Sequence, residues 1–198
     1  VICIANYGLV NEQANHTGKI ILDLVPGSRL KKISQFGNWI KVETPDGRTG
    51  YVKNEIMIDE KKFHQLKTQR KKIIKNAIDY LGIPYLWGGT STKGFDCSGF
   101  TQTVFKSQGI LLPRDANMQV KMGEEINPDN NFSNIKKGDL IFFGPNEDRI
   151  THVAISLGGP DFIHSSGTVH MNSFDKSKKN FNNYRYKTLR TIKRIVKE

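Results

Sequence analysis

Tight turns recur so often in the first 58 residues that this stretch is predicted to fold as short strands. Runs rich in β-formers at 20–25, 29–34, 39–44 and 50–52 are separated by Pro26-Gly27, Phe36-Gly37-Asn38 and Pro45-Asp46-Gly47. Short strands at this spacing predict a small β-barrel. Residues 59–66 are charged and lack a strand pattern, which places a linker there. The periodicity then changes. Ile73, Ile74, Ala77, Ile78 and Leu81 recur at helical spacing from Thr68 onward, with Gly82 as the stop and Pro84 just beyond. A second helix is predicted to start at Cys97, with Phe100, Val104 and Phe105 as its apolar stripe and Gly109 near its end. A shorter helical stretch covers 113–122, and strands follow at 139–143, 152–157 and 161–165. Helices before strands predict an α+β domain over 67–198 with an antiparallel sheet.

A chain of 198 residues with 37% hydrophobic content can bury one core or two small ones. No run approaches the roughly 18 apolar residues of a membrane helix, and the mean hydropathy of -0.48 agrees. The chain starts at Val1 without a basic segment leading into an apolar stretch, so any secretion signal is expected to have been removed. Of the net charge of +11, most lies late: residues 67–198 hold 21 Lys and Arg against 12 Asp and Glu. The cations between 176 and 198 face only Glu198 and could bind phosphates. Without a recognisable nucleic-acid-binding module they predict a solvated basic face that is drawn to an anionic cell envelope, and no nucleic-acid partner.

The two cysteines, Cys3 and Cys97, lack the spacing of a zinc site, and no metal or other cofactor is expected. Cys3 reads as a small apolar residue, with a disulfide to Cys97 or a lipid-modified terminus as alternatives. Cys97 differs, because a thiol at a helix N-terminus feels the unpaired N–H groups, which favour a thiolate. Strand alternation puts Val153 and Ile155 on the core face and His152 on the other. Gly158-Gly159-Pro160-Asp161 then turns the chain, so His164 falls across from His152 on the neighbouring strand, where it could orient a histidine base.

Five blocks resemble NlpC-type cell-wall cysteine peptidases in order and spacing, over residues 70–196. They are Tyr85-Leu86-Trp87-Gly88-Gly89, Phe95-Asp96-Cys97-Ser98-Gly99-Phe100, Leu112-Pro113-Arg114-Asp115-Ala116, Lys137-Gly138-Asp139-Leu140 and Thr151-His152-Val153-Ala154-Ile155. In the first 58 residues, Gly37-Asn38-Trp39-Ile40-Lys41-Val42 with Gly50-Tyr51-Val52 resembles bacterial SH3-like domains. The resemblance implies a papain-like domain preceded by a small all-β SH3-like barrel. In it Cys97 attacks, His152 accepts the thiol proton and His164 orients His152. Tyr85 would stabilise the oxyanion with the Cys97 N–H. Trp87 would wall the groove or else fill the core, while Gly88 and Gly89 would allow close backbone approach.

This pairing of domains is similar to enzymes that hydrolyse the bond after γ-D-glutamate in L-Ala-γ-D-Glu-diamino acid peptides and require a free N-terminal L-Ala. It implies that Asp96 binds the ammonium and that the SH3-like domain closes the groove beyond, with Glu12 and Tyr51 as candidates. Ser98, Arg114 and Asp115 would contact the D-Glu carboxylate or shape its pocket. Ala116 stands where many relatives have serine, and Val10-Asn11-Glu12-Gln13 replaces their usual turn. The expected partner is a peptidoglycan stem peptide or muropeptide, met by a monomer that is secreted, periplasmic or bound to the envelope. Alternatives are a general wall endopeptidase, an N-acetylmuramoyl-L-alanine amidase and a noncatalytic wall-binding protein.

Overall fold

Along Trp39–Glu43 (β5) the side chains alternate, with Ile40 and Val42 buried and their neighbours partly exposed. That period of two is the mark of a sheet with one covered face. In a computed structural model, which describes residues 1–196, β5 belongs to the first of two units, Val1–Lys67. Its other strands are Ile2–Cys3 (β1), Gly8–Asn11 (β2), Ile20–Leu24 (β3), Lys31–Phe36 (β4), Thr49–Lys53 (β6) and Met57–Ile58 (β7). Five form an antiparallel sheet in the order β3-β2-β6-β5-β4, and β1 pairs with β7. All four predicted runs form strands. Gly37 takes a φ of 52° between the paired Phe36 and Trp39, the backbone a two-residue hairpin turn demands. Cys3 is buried among Val10, Leu24 and Val52 as an apolar residue, and both cysteines are free thiols. The stretch expected as a linker holds a short helix, Glu60–His64 (α1), capped by Asp59 and burying Phe63.

The second unit begins at Thr68. Its helices are Arg70–Ile78 (α2), Cys97–Lys106 (α3), Ala116–Gln119 (α4) and Asn183–Thr188 (α5). Its strands are Thr90–Ser91 (β8), Gly94–Phe95 (β9), Glu124–Ile126 (β10), Leu140–Phe143 (β11), His152–Gly158 (β12), Asp161–Ser166 (β13), Thr168–Ser173 (β14) and Leu189–Arg194 (β15). Six of them make one antiparallel sheet in the order β10-β15-β11-β12-β13-β14. Only Ile73 and Ala77 of α2 are buried, while Ile78 and Leu81 are exposed, so the buried stripe is narrower than its spacing suggested. The third predicted helix shrinks to the one turn of α4.

Both faces of the sheet are covered. Leu140, Phe142, Val153 and Ile155 pack against Phe100 and Val104 of α3, whereas Ile141, Phe143 and Ala154 pack with Phe162, Phe174 and Ile192 on the other side. This overturns the expected outward His152: its face is interior, because Phe132, Phe174 and α5, whose Arg185 lies over Phe143, cover that side of the sheet. The basic tail is likewise structural in part. Ile192 is fully buried in β15, and Arg194, with Arg70, pairs with Asp139, whose carboxylate has 0% exposure. No helix among the described residues is long and apolar enough to cross a membrane.

Candidate active site

The start of α3 is built by its own sequence. Asp96, in an extended conformation, accepts a hydrogen bond from the Gly99 N–H at 2.6 Å as the helix N-cap, so Cys97 becomes the first helical residue. The same carboxylate accepts from the Gly88 N–H at 3.1 Å and from Arg114 at both oxygens. Arg114 also donates to Ser98 Oγ at 3.0 Å. Asp96 is therefore spent largely inside the protein, and an ammonium could reach it only by sharing it with Arg114. Gly88 has a φ of 77°, open to glycine at little cost, while Gly89 lies against Gly94 and Gly99, where added Cβ atoms would collide with backbone.

A cleft of about 500 Å³ opens beside Cys97, lined by Tyr85, Trp87, Asp96, Ser98, Arg114 and Asp115. The structure thus brings together six of the expected substrate residues. Trp87 is 86% exposed, which excludes its reading as a core aromatic. Gly88, Ala116, Asn117, Ile150 and Thr151 complete the lining; of these, Asn117 and Ile150 lie outside the sequence motifs. Glu12 and Tyr51 belong to the first unit. There Glu12 is exposed just after β2, and Tyr51 of β6 pairs with Asn11.

Burial pushes the Cys97 thiol above its ordinary value, and the N–H groups of Val153 and Ser98 pull it only part of the way back. The expected low thiol pKa is corrected: at the start of α3, desolvation outweighs the helix N-terminus. Burial likewise holds His152 well below its ordinary value, with the Arg185 charge adding to the effect. Both groups are neutral at neutral pH. Tyr85 is raised by burial and by the neighbouring Cys97 and Asp96, and stays a phenol that can donate a hydrogen bond.

The paired register of β12 and β13 ends at Ile155↔Ile163, with Ser156 opposite Phe162. Alternation then puts His152 and His164 on the same face, diagonal to each other and not directly across. Their rings meet edge to face, with His152 Nε2 2.7 Å from His164 Nδ1. Carbonyls at the outer end of this network set the protons. Asn180 O accepts from Asn172 Nδ2 at 3.2 Å, which turns Asn172 Oδ1 toward His164 Nε2 at 2.9 Å. Asn182 donates to the same oxygen at 2.9 Å. Since an amide oxygen only accepts, His164 carries its proton on Nε2, and its bare Nδ1 accepts from His152 Nε2–H. His152 Nδ1 is left able to take a proton. Asn172, Asn182 and Arg185 were missed in the sequence. His170 and Asn172 do alternate in β14, with His170 paired to His164, but that register was not predictable from composition.

Burial, reinforced by His170, draws His164 down from about 6.5 to about 3, against the pull of its bond to Asn172. Between these values the unfolded chain binds a proton that the folded chain does not. Stability therefore falls as pH drops through that window, by about 1.4 kcal/mol per pH unit for each such histidine. Urea midpoints at pH 7, 5.5 and 4.5 should decline, and less steeply in His164→Gln. A midpoint constant across that range would contradict the buried neutral ring.

The NlpC/P60 family profile matches residues 82–191, and the bacterial SH3 domain profile matches residues 10–56. The gamma-D-glutamyl-L-lysine dipeptidyl-peptidase of Bacillus subtilis is 38% identical over 70% of this chain and 45% of that protein. Dipeptidyl-peptidase 6 of Lysinibacillus sphaericus is 30% identical over 79% of this chain and 58% of that protein. The chain thus spans about half the length of the curated relatives it matches. The crystal structure of an NlpC/P60 family protein from Bacillus cereus shares the fold, with a TM-score of 0.82 and 24% identity over 99% of this chain and 63% of that one. The fold is papain-like α+β, preceded by an all-β SH3-like unit.

Proposed function

This chain belongs to the NlpC/P60 family, and on that premise we propose that it is a cysteine peptidase hydrolysing the γ-D-Glu-diamino acid bond of peptidoglycan stem peptides. The observation that carries the reading is the directed chain of hydrogen bonds from Asn172 through His164 to His152, which leaves Nδ1 of His152 free as a base in the residue before Val153, whose N–H reaches the Cys97 thiol. Residues 1–58 act as the SH3-like domain and residues 67–198 as the catalytic domain, outside the cytoplasm and as a monomer.

Substrate binds with its scissile carbonyl over Cys97. His152 Nδ1 takes the thiol proton as sulfur attacks, and His164 holds the resulting imidazolium, itself held by Asn172. The oxyanion is met by the Tyr85 hydroxyl and the Cys97 N–H. His152 returns the proton to the departing amine, leaving a thioester that water hydrolyses. Ser98, Arg114 and Asp115 receive the D-Glu carboxylate, and Trp87 walls the cleft. Asp96, shared with Arg114, favours a free N-terminal L-Ala.

The test compares L-Ala-γ-D-Glu-L-Lys with its N-acetyl form by liquid chromatography and mass spectrometry. Loss of a charge-assisted bond to the ammonium costs on the order of 2–3 kcal/mol, a 30- to 150-fold fall in kcat/KM for the acetyl peptide. The products should be L-Ala-D-Glu and lysine. Equal rates would favour a general wall endopeptidase, and release of the peptide from its N-acetylmuramoyl form, offered as a third substrate, would make the enzyme an amidase.

A further inference from the structure

Arg185 stands apart from the other guanidiniums around the core. Arg70 and Arg194 meet Asp139, and Arg114 meets Asp96. Arg185 meets no carboxylate among the described residues. It lies half-buried in α5 with its guanidinium 5.3 Å from the ring centres of Phe143 and Tyr184, and its one side-chain hydrogen bond among the described residues is a long one, 3.5 Å, to Ser166 Oγ. A partly desolvated cation without a counter-ion is costly unless something else supplies the negative charge.

Its position says what that charge is. Phe143 pairs with His152, and the two rings lie 5.7 Å apart, so Arg185 and the imidazole are both neighbours of one aromatic ring. Its charge is felt at both Cys97 and His152. None of Phe143, His152, Ser166 or Arg185 lines the cleft that holds Arg114 and Tyr85. In a cysteine peptidase the histidine protonates the departing amine, so the leaving group lies on the imidazole's side of the sulfur and the acyl group on the other.

We propose that Arg185 binds a carboxylate carried by the leaving group. The inference rests on the stem-peptide reading and extends it to the side of the bond that the cleft does not cover. A fork of N–H donors suits a carboxylate, and the two rings on which the guanidinium rests hold it beside the imidazole. The carboxylate is either the chain terminus of a diamino acid that ends the peptide or a second carboxylate on that residue's side chain.

The experiment uses the full chain and three substrates: L-Ala-γ-D-Glu-L-Lys, its C-terminal amide, and the corresponding meso-diaminopimelate peptide with its main-chain terminus amidated. Wild type should prefer the free acid to the lysine amide by about 10- to 100-fold, chiefly in KM, if the terminus is bound. If the side-chain carboxylate is bound, the diaminopimelate amide should instead exceed the lysine amide by that factor. Either preference should disappear in Arg185→Gln and persist in large part in Arg185→Lys, with thermal unfolding followed for each variant. Equal use of all three peptides by wild type, or an equal loss on all three in Arg185→Gln, overturns the inference and leaves the stem-peptide reading intact. Failure of wild type to cleave any of them overturns both.

Discussion

Cys97→Ala should abolish hydrolysis, with kcat/KM lower by roughly 10⁴-fold or more, while the thermal unfolding curve stays close to that of the wild type. The two parts follow from separate features of one site. Catalysis is lost because the sulfur forms the covalent bond, and the His152 base has nothing left to deprotonate. The fold survives because the helix start is held by other groups: the Gly99 N–H and Arg114 on Asp96, and Ser98 Oγ on the same carboxylate. Alanine is a good helix former and removes one buried, neutral atom. Cys97→Ser should be nearly as inactive, since a hydroxyl is a far weaker nucleophile at the same base. Activity within tenfold of wild type in the alanine variant would remove Cys97 from the chemistry.

Arg114→Met should lower stability by about 2–3 kcal/mol and activity by about 100-fold. Removing one partner of a buried ion pair typically costs about 3–5 kcal/mol, because the other charge is left behind. The figure is reduced here because the Arg114 side chain is 35% exposed while Asp96 is 11% exposed. Asp96 would keep its backbone donors and Ser98 but lose the fork that neutralises it, next to the nucleophile. Arg114→Lys should restore little, since an ammonium cannot span both carboxylate oxygens and also reach Ser98 Oγ. Adding Asp96→Asn to Arg114→Met should recover much of the stability and none of the activity. Calorimetry and initial rates check both halves, and an Arg114→Met protein as stable as wild type would contradict the pairing as an internal prop.

What could be read in advance was whatever local chemistry dictates. Asp96 before Cys97-Ser98-Gly99 announces a capped helix, and Val153 and Ile155 announce a buried strand face. Gly37-Asn38 and Pro45-Asp46-Gly47 mark hairpins that the first unit contains. What escaped depended on long-range pairing. Leu189–Arg194 looked like part of a charged tail, yet it lies inside the sheet because Asp139 takes up Arg194 and the β11 register buries Ile192. The orienting group behind His164 escaped for the same reason. Asn172 reaches it only through the β13–β14 register, and Asn180 and Asn182 reach Asn172 through a loop with no periodic signal. The thiol pKa was misjudged because a helix N-terminus is visible in sequence and burial is not.

The central claim is that the Cys97 sulfur carries the acyl half of the substrate between the two steps. Acid quenching of the enzyme within its first turnovers on L-Ala-γ-D-Glu-L-Lys, followed by peptide mapping with mass spectrometry, reads this directly. The account predicts an L-Ala-γ-D-Glu thioester on the peptide containing Cys97, absent from the Cys97→Ala protein. Substrate turnover with the acyl group on another residue, or turnover by the Cys97→Ala protein, would contradict it.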